Sequence, residues 1–269
     1  MKNLAILGAG NIGIAIVKGL IQSGTFEARQ MTLTRRKIHL LDPFKQQGFQ
    51  IQKSNVEAVK SSEVILIAVE PQQLVSLLKE INQALIPGKH ILISVISGVS
   101  IGQIKKQLGK NMPVIRAMPN TAIAIRESMT CIASDEPNDE AIEIARSIFD
   151  TVGKTLIIDE EQMIAATALG ACGIAFFLRA IRAASQGGIE IGFHSDEALH
   201  IAAQTAKGAA ALLLNMKNHP EYEIDKVTTP RGCTIAGLNQ MEHEGFSSAM
   251  IKGIVTSAEK ASGLYVNEV

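Results

Sequence analysis

The sequence predicts an α/β protein: a parallel sheet with crossover helices, followed by an all-helical second half. Three observations carry this. Short β-branched runs alternate with helical patterns over the first half, several of those runs lack any polar alternation, and strand signals stop after residue 158. The 269 residues suffice for one large domain or two modest ones with a sizeable core.

Strands are expected at residues 4–7, 31–34, 49–52, 64–68, 90–94, 114–118, 129–133 and, last, 154–158. Uninterrupted apolar runs suit strands covered on both faces. Ser54 with Glu57 forms a capping-box pattern before a helix over 56–61, and Pro71 suits the first turn of a helix through Leu78. A long helix follows over residues 160–186, and another opens at Ser195 with Asp196 and Glu197 in its first turn. The long helix includes Ala165-Ala166-Thr167-Ala168-Leu169-Gly170-Ala171, is apolar on nearly every face and reads as buried. About 110 residues can hardly enclose such a helix alone, so this half is expected to pack against its copy in a homodimer. The expected domains are 1–158, binding a nucleotide, and 159–269, helical.

Composition excludes several functions. Lys plus Arg number 26 and Asp plus Glu 26, so no net field draws the chain to nucleic acid or anionic membranes. Aromatic residues make up 4% with no Trp, which leaves no stacking platform for single strands, and 46% apolar content excludes disorder. The uncharged run 163–178 falls short of the ~20 residues a bilayer span needs. Residues 4–7 are too short a core for a signal peptide. Cys131, Cys172 and Cys233 are odd in number and form no C-x-x-C, which fits a reducing cytoplasm, and Cys172 and Cys233 read as small buried residues. No metal site is expected: His39, His90, His219 and His243 lack ligand spacing, and His194 and His200 read as surface or core side chains.

Gly8, Ala9, Gly10, Asn11, Ile12 and Gly13 form G-x-G-x-x-G directly after the first strand and at the opening of a helix. The first glycine permits the tight turn, the second lets backbone approach a pyrophosphate, and the third allows close helix–strand packing. This is the Rossmann fingerprint in its confirming context. Where an acidic residue would take the ribose 2′-OH of NAD, the chain has Thr34-Arg35-Arg36-Lys37. Cations there suit the 2′-phosphate of NADP, so NADPH is preferred over NADH; they would also suit a solvated helix start. Ala68, Val69, Glu70 and Pro71, with Gln72, end the fourth strand, and their backbone is expected to line the nicotinamide side.

Together with these, Arg116-Ala117-Met118-Pro119-Asn120-Thr121, Glu197-Ala198 through Gln204-Thr205 with Gly208-Ala209-Ala210, and Thr229-Pro230-Arg231-Gly232-Cys233-Thr234-Ile235-Ala236-Gly237-Leu238 make the chain resemble the pyrroline-5-carboxylate reductase family along essentially its whole length. The resemblance implies reduction of a cyclic imine carboxylate to proline by NADPH or NADH. It implies a Rossmann domain followed by a helical dimerisation domain, and dimers assembled in a ring. It further implies that residues 8–11, Asn55 and 68–71 touch the dinucleotide, with Arg35 and Arg36 near the adenosine phosphate. Thr229, Pro230, Arg231, Gly232, Cys233 and Thr234 would hold the substrate carboxylate through backbone N–H groups, Thr234 would place its hydroxyl at the imine nitrogen, and Glu160 would line the pocket.

One chemical feature agrees. A protonated imine needs little acid–base machinery, whereas a ketone needs a Lys or His donor; residues 155–206 contain no Lys. There are also departures. Glu70 stands where the family usually has Lys, Gly170-Ala171-Cys172-Gly173-Ile174-Ala175-Phe176 replaces a Ser-Gly-Ser-Gly-Pro-Ala-Tyr stretch, Pro230-Arg231-Gly232-Cys233-Thr234 replaces Pro-Gly-Gly-Thr-Thr, and Ala122 follows Thr121 where proline is usual. Arg231 either contacts a carboxylate directly or replaces a glycine that needed positive φ, reshaping the loop. Two alternatives to pyrroline-5-carboxylate reduction therefore stand: an NADP-dependent reductase of another cyclic imine or a keto acid, and a dinucleotide-binding regulatory paralogue.

Overall fold

The structure, a computed structural model, describes residues 2–135 and 140–263. Among them eight strands form one sheet in the order β3-β2-β1-β4-β5-β6-β7-β8: β1 (Leu4–Leu7), β2 (Met31–Thr34), β3 (Gln50–Gln52), β4 (Val64–Ile67), β5 (Ile91–Ser94), β6 (Val114–Met118), β7 (Ser128–Ser134) and β8 (Gly153–Ile157). Each lies where a β-branched run predicts it. The helices of this half are α1 (Asn11–Gln22), α2 (Asp42–Gln46), α3 (Asn55–Lys60), α4 (Leu74–Ile81), α5 (Ile101–Leu108) and α6 (Glu140–Phe149). Ser54 caps α3 by accepting the Glu57 N–H, and Pro71 opens a 3-10 turn that leads into α4.

Side chains alternate across the pleat, so one strand feeds two cores. Leu4 and Ile6 join Ile16 and Leu20 of α1 and Phe149 of α6 on one face, while Ala5 and Leu7 join Leu77 of α4 and Ile104 of α5 on the other. The sheet is not parallel throughout. β7 runs antiparallel to β6, with Arg116 opposite Ala133. The nine-residue link over 119–127, closed by a 3-10 turn (Thr121–Ile125) and the left-handed Arg126 (φ 63), is shorter than the dozen residues a parallel crossover needs.

After β8 the chain is helical: a 3-10 turn (Glu160–Gln162), α7 (Met163–Ala166), a π-helical turn (Thr167–Cys172), α8 (Gly173–Glu190), α9 (Ser195–Met216), α10 (Pro220–Val227), α11 (Cys233–His243) and α12 (Phe246–Ser262). The helix expected over 160–186 therefore runs to Glu190 and contains a π turn. There Thr167 Oγ1 donates back to the Met163 carbonyl at 2.8 Å, and the Gly170 carbonyl accepts from Asn120 Nδ2 at 3.2 Å, diverting the regular ladder.

Two compact units emerge. Among the described residues, the first runs to Cys172 and takes in residues 257–263; the second is Gly173–Thr256. The last strand ends at Ile157, and Met163 then packs with Met118 and Ala133, which ties the first helical turns to the sheet unit, so the units divide after Cys172 and not near residue 159. Residues 264–269 of the expected second domain lie outside the described residues. Within the second unit α8 and α9 form a close hairpin, in which a Cβ on Gly188 would lie 3.0 Å from that of Ala198.

The long apolar helix is not buried in the single chain. Leu169, Phe177 and Leu178 are about 60% exposed and Leu214 of α9 is 79% exposed, because no other layer covers them. By length and composition alone the run Glu160–Glu190 is long and apolar enough to cross a membrane, although its uncharged core was expected to fall short. None of the three cysteines is buried either: Cys131 and Cys172 are half-buried, and Cys233 is exposed because it opens a helix after a surface turn.

Candidate active site

The sheet order reverses between β1 and β4, which splits the carboxyl edge into a crevice. The glycine motif lies there. Gly8 has φ +94 and leaves no room for a side chain, since a Cβ would lie 2.6 Å from Val69 Cγ1 and 2.8 Å from the Ala68 carbonyl oxygen. A Cβ on Gly13 would meet the Gly8 oxygen at 2.9 Å, so α1 packs tightly on β1. Gly10 differs: its nearest neighbour to a Cβ is the Gly8 oxygen at 3.9 Å. As N-cap it has no side chain to satisfy the first N–H groups of α1, which are left for a ligand.

Three further segments converge on this turn. The Gly8 and Ala9 N–H groups donate to the Thr34 carbonyl at 3.2 and 2.8 Å, and Thr34 Oγ1 donates to Asn55 Oδ1 at 2.7 Å. Asn55 Nδ2 in turn donates to Glu80 Oε2 at 2.9 Å, which fixes the amide at the head of α3. Ala68 N–H donates to the Leu7 carbonyl at 2.8 Å, holding residues 68–71 beside the glycines. The Glu70 carboxylate accepts from Gln73 Nε2 at 2.8 Å. A depression of about 410 Å³ is lined by Gly10, Asn11, Ala15, Lys18 and Arg35 together with Leu40 and Phe44. Arg36 is exposed and is not among its lining residues. Lys18 was missed in the sequence; the available signal was its position seven residues after Asn11, on the same helix face.

Glu160 belongs to a second cluster, farther along the sheet. Its Oε1 accepts the Ile101 N–H at 2.6 Å and Arg116 Nη1 at 3.1 Å. Arg116 is 6% exposed. The cluster thus ties β6 to the head of α5.

The Thr229–Thr234 segment lies in the other compact unit and joins α10 to α11. Arg231 has φ +60, so the arginine itself takes up the left-handed conformation in this loop. Gly232 is held against Thr229, where a Cβ would lie 2.5 Å from Oγ1, and its N–H donates to the Thr229 carbonyl at 2.9 Å. As N-cap of α11 it again offers no side-chain cap, so the N–H groups of the first turn are free to bind a carboxylate. Thr234 is half-exposed on that turn and its hydroxyl has no partner among the described residues. His194 and His200 are exposed, and among the described residues no group of three His, Cys, Asp or Glu could hold a metal.

Residues 160–264 match the family model described as pyrroline-5-carboxylate reductase dimerisation, and residues 3–98 match that described as NADP oxidoreductase coenzyme F420-dependent. Pyrroline-5-carboxylate reductase 1 of Dictyostelium discoideum is 54% identical over 99% of this chain, which spans about half of that protein's length. Pyrroline-5-carboxylate reductase 2 of the same organism is 49% identical over 97% of this chain and 92% of its own. A Plasmodium falciparum pyrroline carboxylate reductase, solved with NADP bound, superposes with a TM-score of 0.89 at 23% identity over 98% of both chains, a likeness of fold. The glycine turn, the helix-capping loop and these matches along the whole chain lead to one conclusion: the chain belongs to the pyrroline-5-carboxylate reductase family.

Proposed function

We propose that the protein reduces 1-pyrroline-5-carboxylate to proline with NADPH in the cytoplasm, as a homodimer. The observation that carries this is the head of α11, where one helix end offers free N–H groups for a carboxylate and, on the same turn, the unpartnered hydroxyl of Thr234. The residues present fit a dinucleotide: Gly10 leaves open space beside the uncapped N-terminus of α1, and Arg35 and Lys18 bring cations to the adjoining depression. NADPH, when bound, supplies the hydride that reduces the C=N carbon.

The chain's own residues do the rest. Gly8–Gly13 and the α1 N–H groups hold the pyrophosphate. Arg35 favours the 2′-phosphate over a 2′-hydroxyl through its forked N–H donors. Residues 229–234 bind the substrate carboxylate through backbone N–H groups, and Thr234 Oγ hydrogen-bonds the imine nitrogen, which becomes the amine. An imine nitrogen is basic enough to be protonated beforehand, so no Lys or His donor is called for. The exposed apolar surface of α8 and α9 is covered by the same surface of a second copy, an area far too apolar to remain in water. The absence of disulfides among the described residues suits a reducing compartment.

Mixing protein, the imine and NADPH and following the reduced-nicotinamide absorbance tests the reading. Turnover above blank at millimolar imine is expected. Tight NADPH binding without turnover on any imine would favour a non-catalytic paralogue. Arg231, an exposed cation beside the carboxylate-binding turn, favours one second reading, a different acidic imine or a keto acid; 1-pyrroline-2-carboxylate, its six-membered homologue and keto acids in the same assay separate the two. Gel filtration and cell fractionation test the dimer and the compartment.

A further inference from the structure

Arg116 is an expensive residue to keep in a strand core. Its side chain is 7% exposed, and among the described residues its one ionic partner is Glu160 and its buried Nε has no partner. An apolar side chain of similar volume would serve the core at least as well, so stability does not explain the guanidinium. Its effect on Glu160 does. Both hydrogen bonds to that carboxylate, from Arg116 and from the Ile101 N–H, end on Oε1. Oε2 has no partner among the described residues, and the Glu160 side chain is 27% exposed. The cation is sealed in, and the free oxygen of the anion is reachable. Ile101 also begins α5 directly after the loop that leaves the carboxyl edge of β5, so the same oxygen pins that loop.

We infer that Arg116 is a positioning residue: together with the Ile101 N–H it locks one oxygen of Glu160 and holds the other ready to accept an N–H from the reacting ligands. This rests on the proposed reading of Glu160 as lining the substrate site. The ligand group is an N–H donor, carried by the protonated imine or by the nicotinamide carboxamide.

The test compares Arg116→Met, Arg116→Lys, Glu160→Gln and the double variant R116M/E160Q in the full chain. Three quantities are measured: Ile101 amide exchange, NADPH affinity, and kcat and KM for the imine. In R116M the Ile101 amide is expected to exchange about tenfold faster or more, and kcat/KM to fall about tenfold or more, as for one misplaced hydrogen bond. R116K, which keeps the cation, restores most of both. The double variant is expected to be no worse than E160Q alone, because Arg116 acts through Glu160. A rise in NADPH Kd in parallel assigns the donor to the carboxamide; a change confined to the imine parameters assigns it to the imine. Unchanged Ile101 exchange in R116M, or losses that multiply in the double variant, would overturn the inference. Failure of the unaltered protein to reduce the imine would instead remove the proposed function, while the Ile101 exchange result still decides whether Arg116 positions Glu160.

Discussion

Replacing Gly10 by Ala separates cofactor binding from folding. The backbone there (φ −84, ψ −154) is open to any residue, and a methyl group meets nothing nearer than 3.9 Å. Its folding cost is that of a poorer N-cap, about 0.5–1 kcal/mol, which moves the melting temperature of a chain this size by less than about 4 °C. On the proposed reading, the same methyl occupies the space through which a pyrophosphate would approach the α1 N–H groups. Losing one charge-assisted hydrogen bond there costs about 1.5–3 kcal/mol, and NADPH Kd rises roughly ten- to a hundredfold. Gly8→Ala is the control with the opposite emphasis. Its φ of +94 costs about 1–2 kcal/mol in a residue with a Cβ, and contacts at 2.6–2.9 Å with Val69 and Ala68 add about 1–3 kcal/mol of overpacking. Calorimetric melting with NADPH titration distinguishes the two. Gly10→Ala with wild-type NADPH affinity would refute the assignment of this turn to the pyrophosphate.

Other outcomes are expected at separate sites. Arg35→Ala and Lys18→Ala weaken NADPH more than NADH, and the difference shrinks at high salt; equal losses for both cofactors would remove the 2′-phosphate assignment. Arg231→Gly relieves a left-handed residue and raises stability by about 1 kcal/mol, while KM for the imine rises if the guanidinium meets the carboxylate, as steady-state kinetics would reveal. His90 is 1% exposed, its Nδ1 accepts the Ile86 N–H, and burial pushes its pKa below the ordinary 6.5. The unfolded chain therefore takes up a proton near pH 6.5 that the folded one resists. Stability from this group is complete above pH 6.5 and is lost as pH falls toward the folded value. In urea titrations across that range His90→Asn should show a shallower acid slope than the unaltered protein.

Much of the sheet unit was legible in the sequence because its signals are local. Strands such as Leu4–Leu7 and Val64–Ile67 are buried on both faces and read as unbroken apolar runs. The glycine turn was legible because each glycine answers a steric demand of its own neighbourhood, and Gly8, Gly10 and Gly13 meet three different ones. Other features were not local. The reversal of β7 depends on the length of one link, and the π turn depends on Asn120 reaching the Gly170 carbonyl from another element. Arg116 stood in a recognised motif without a role, since nothing in its neighbourhood names Glu160, 44 residues away, as its partner.

Residue order alone determined the alternation of strands and helices, the dinucleotide turn and the family, because these follow from side-chain periodicity and from backbone freedom at single positions. Only the tertiary structure decided that Arg231 takes up the left-handed conformation, that Glu160 spends one oxygen on Arg116 and Ile101, and that the apolar faces of α8 and α9 are bare in the single chain. Those properties arise from groups far apart in the chain competing for the same hydrogen bonds and the same buried space, and such competition is resolved only in three dimensions.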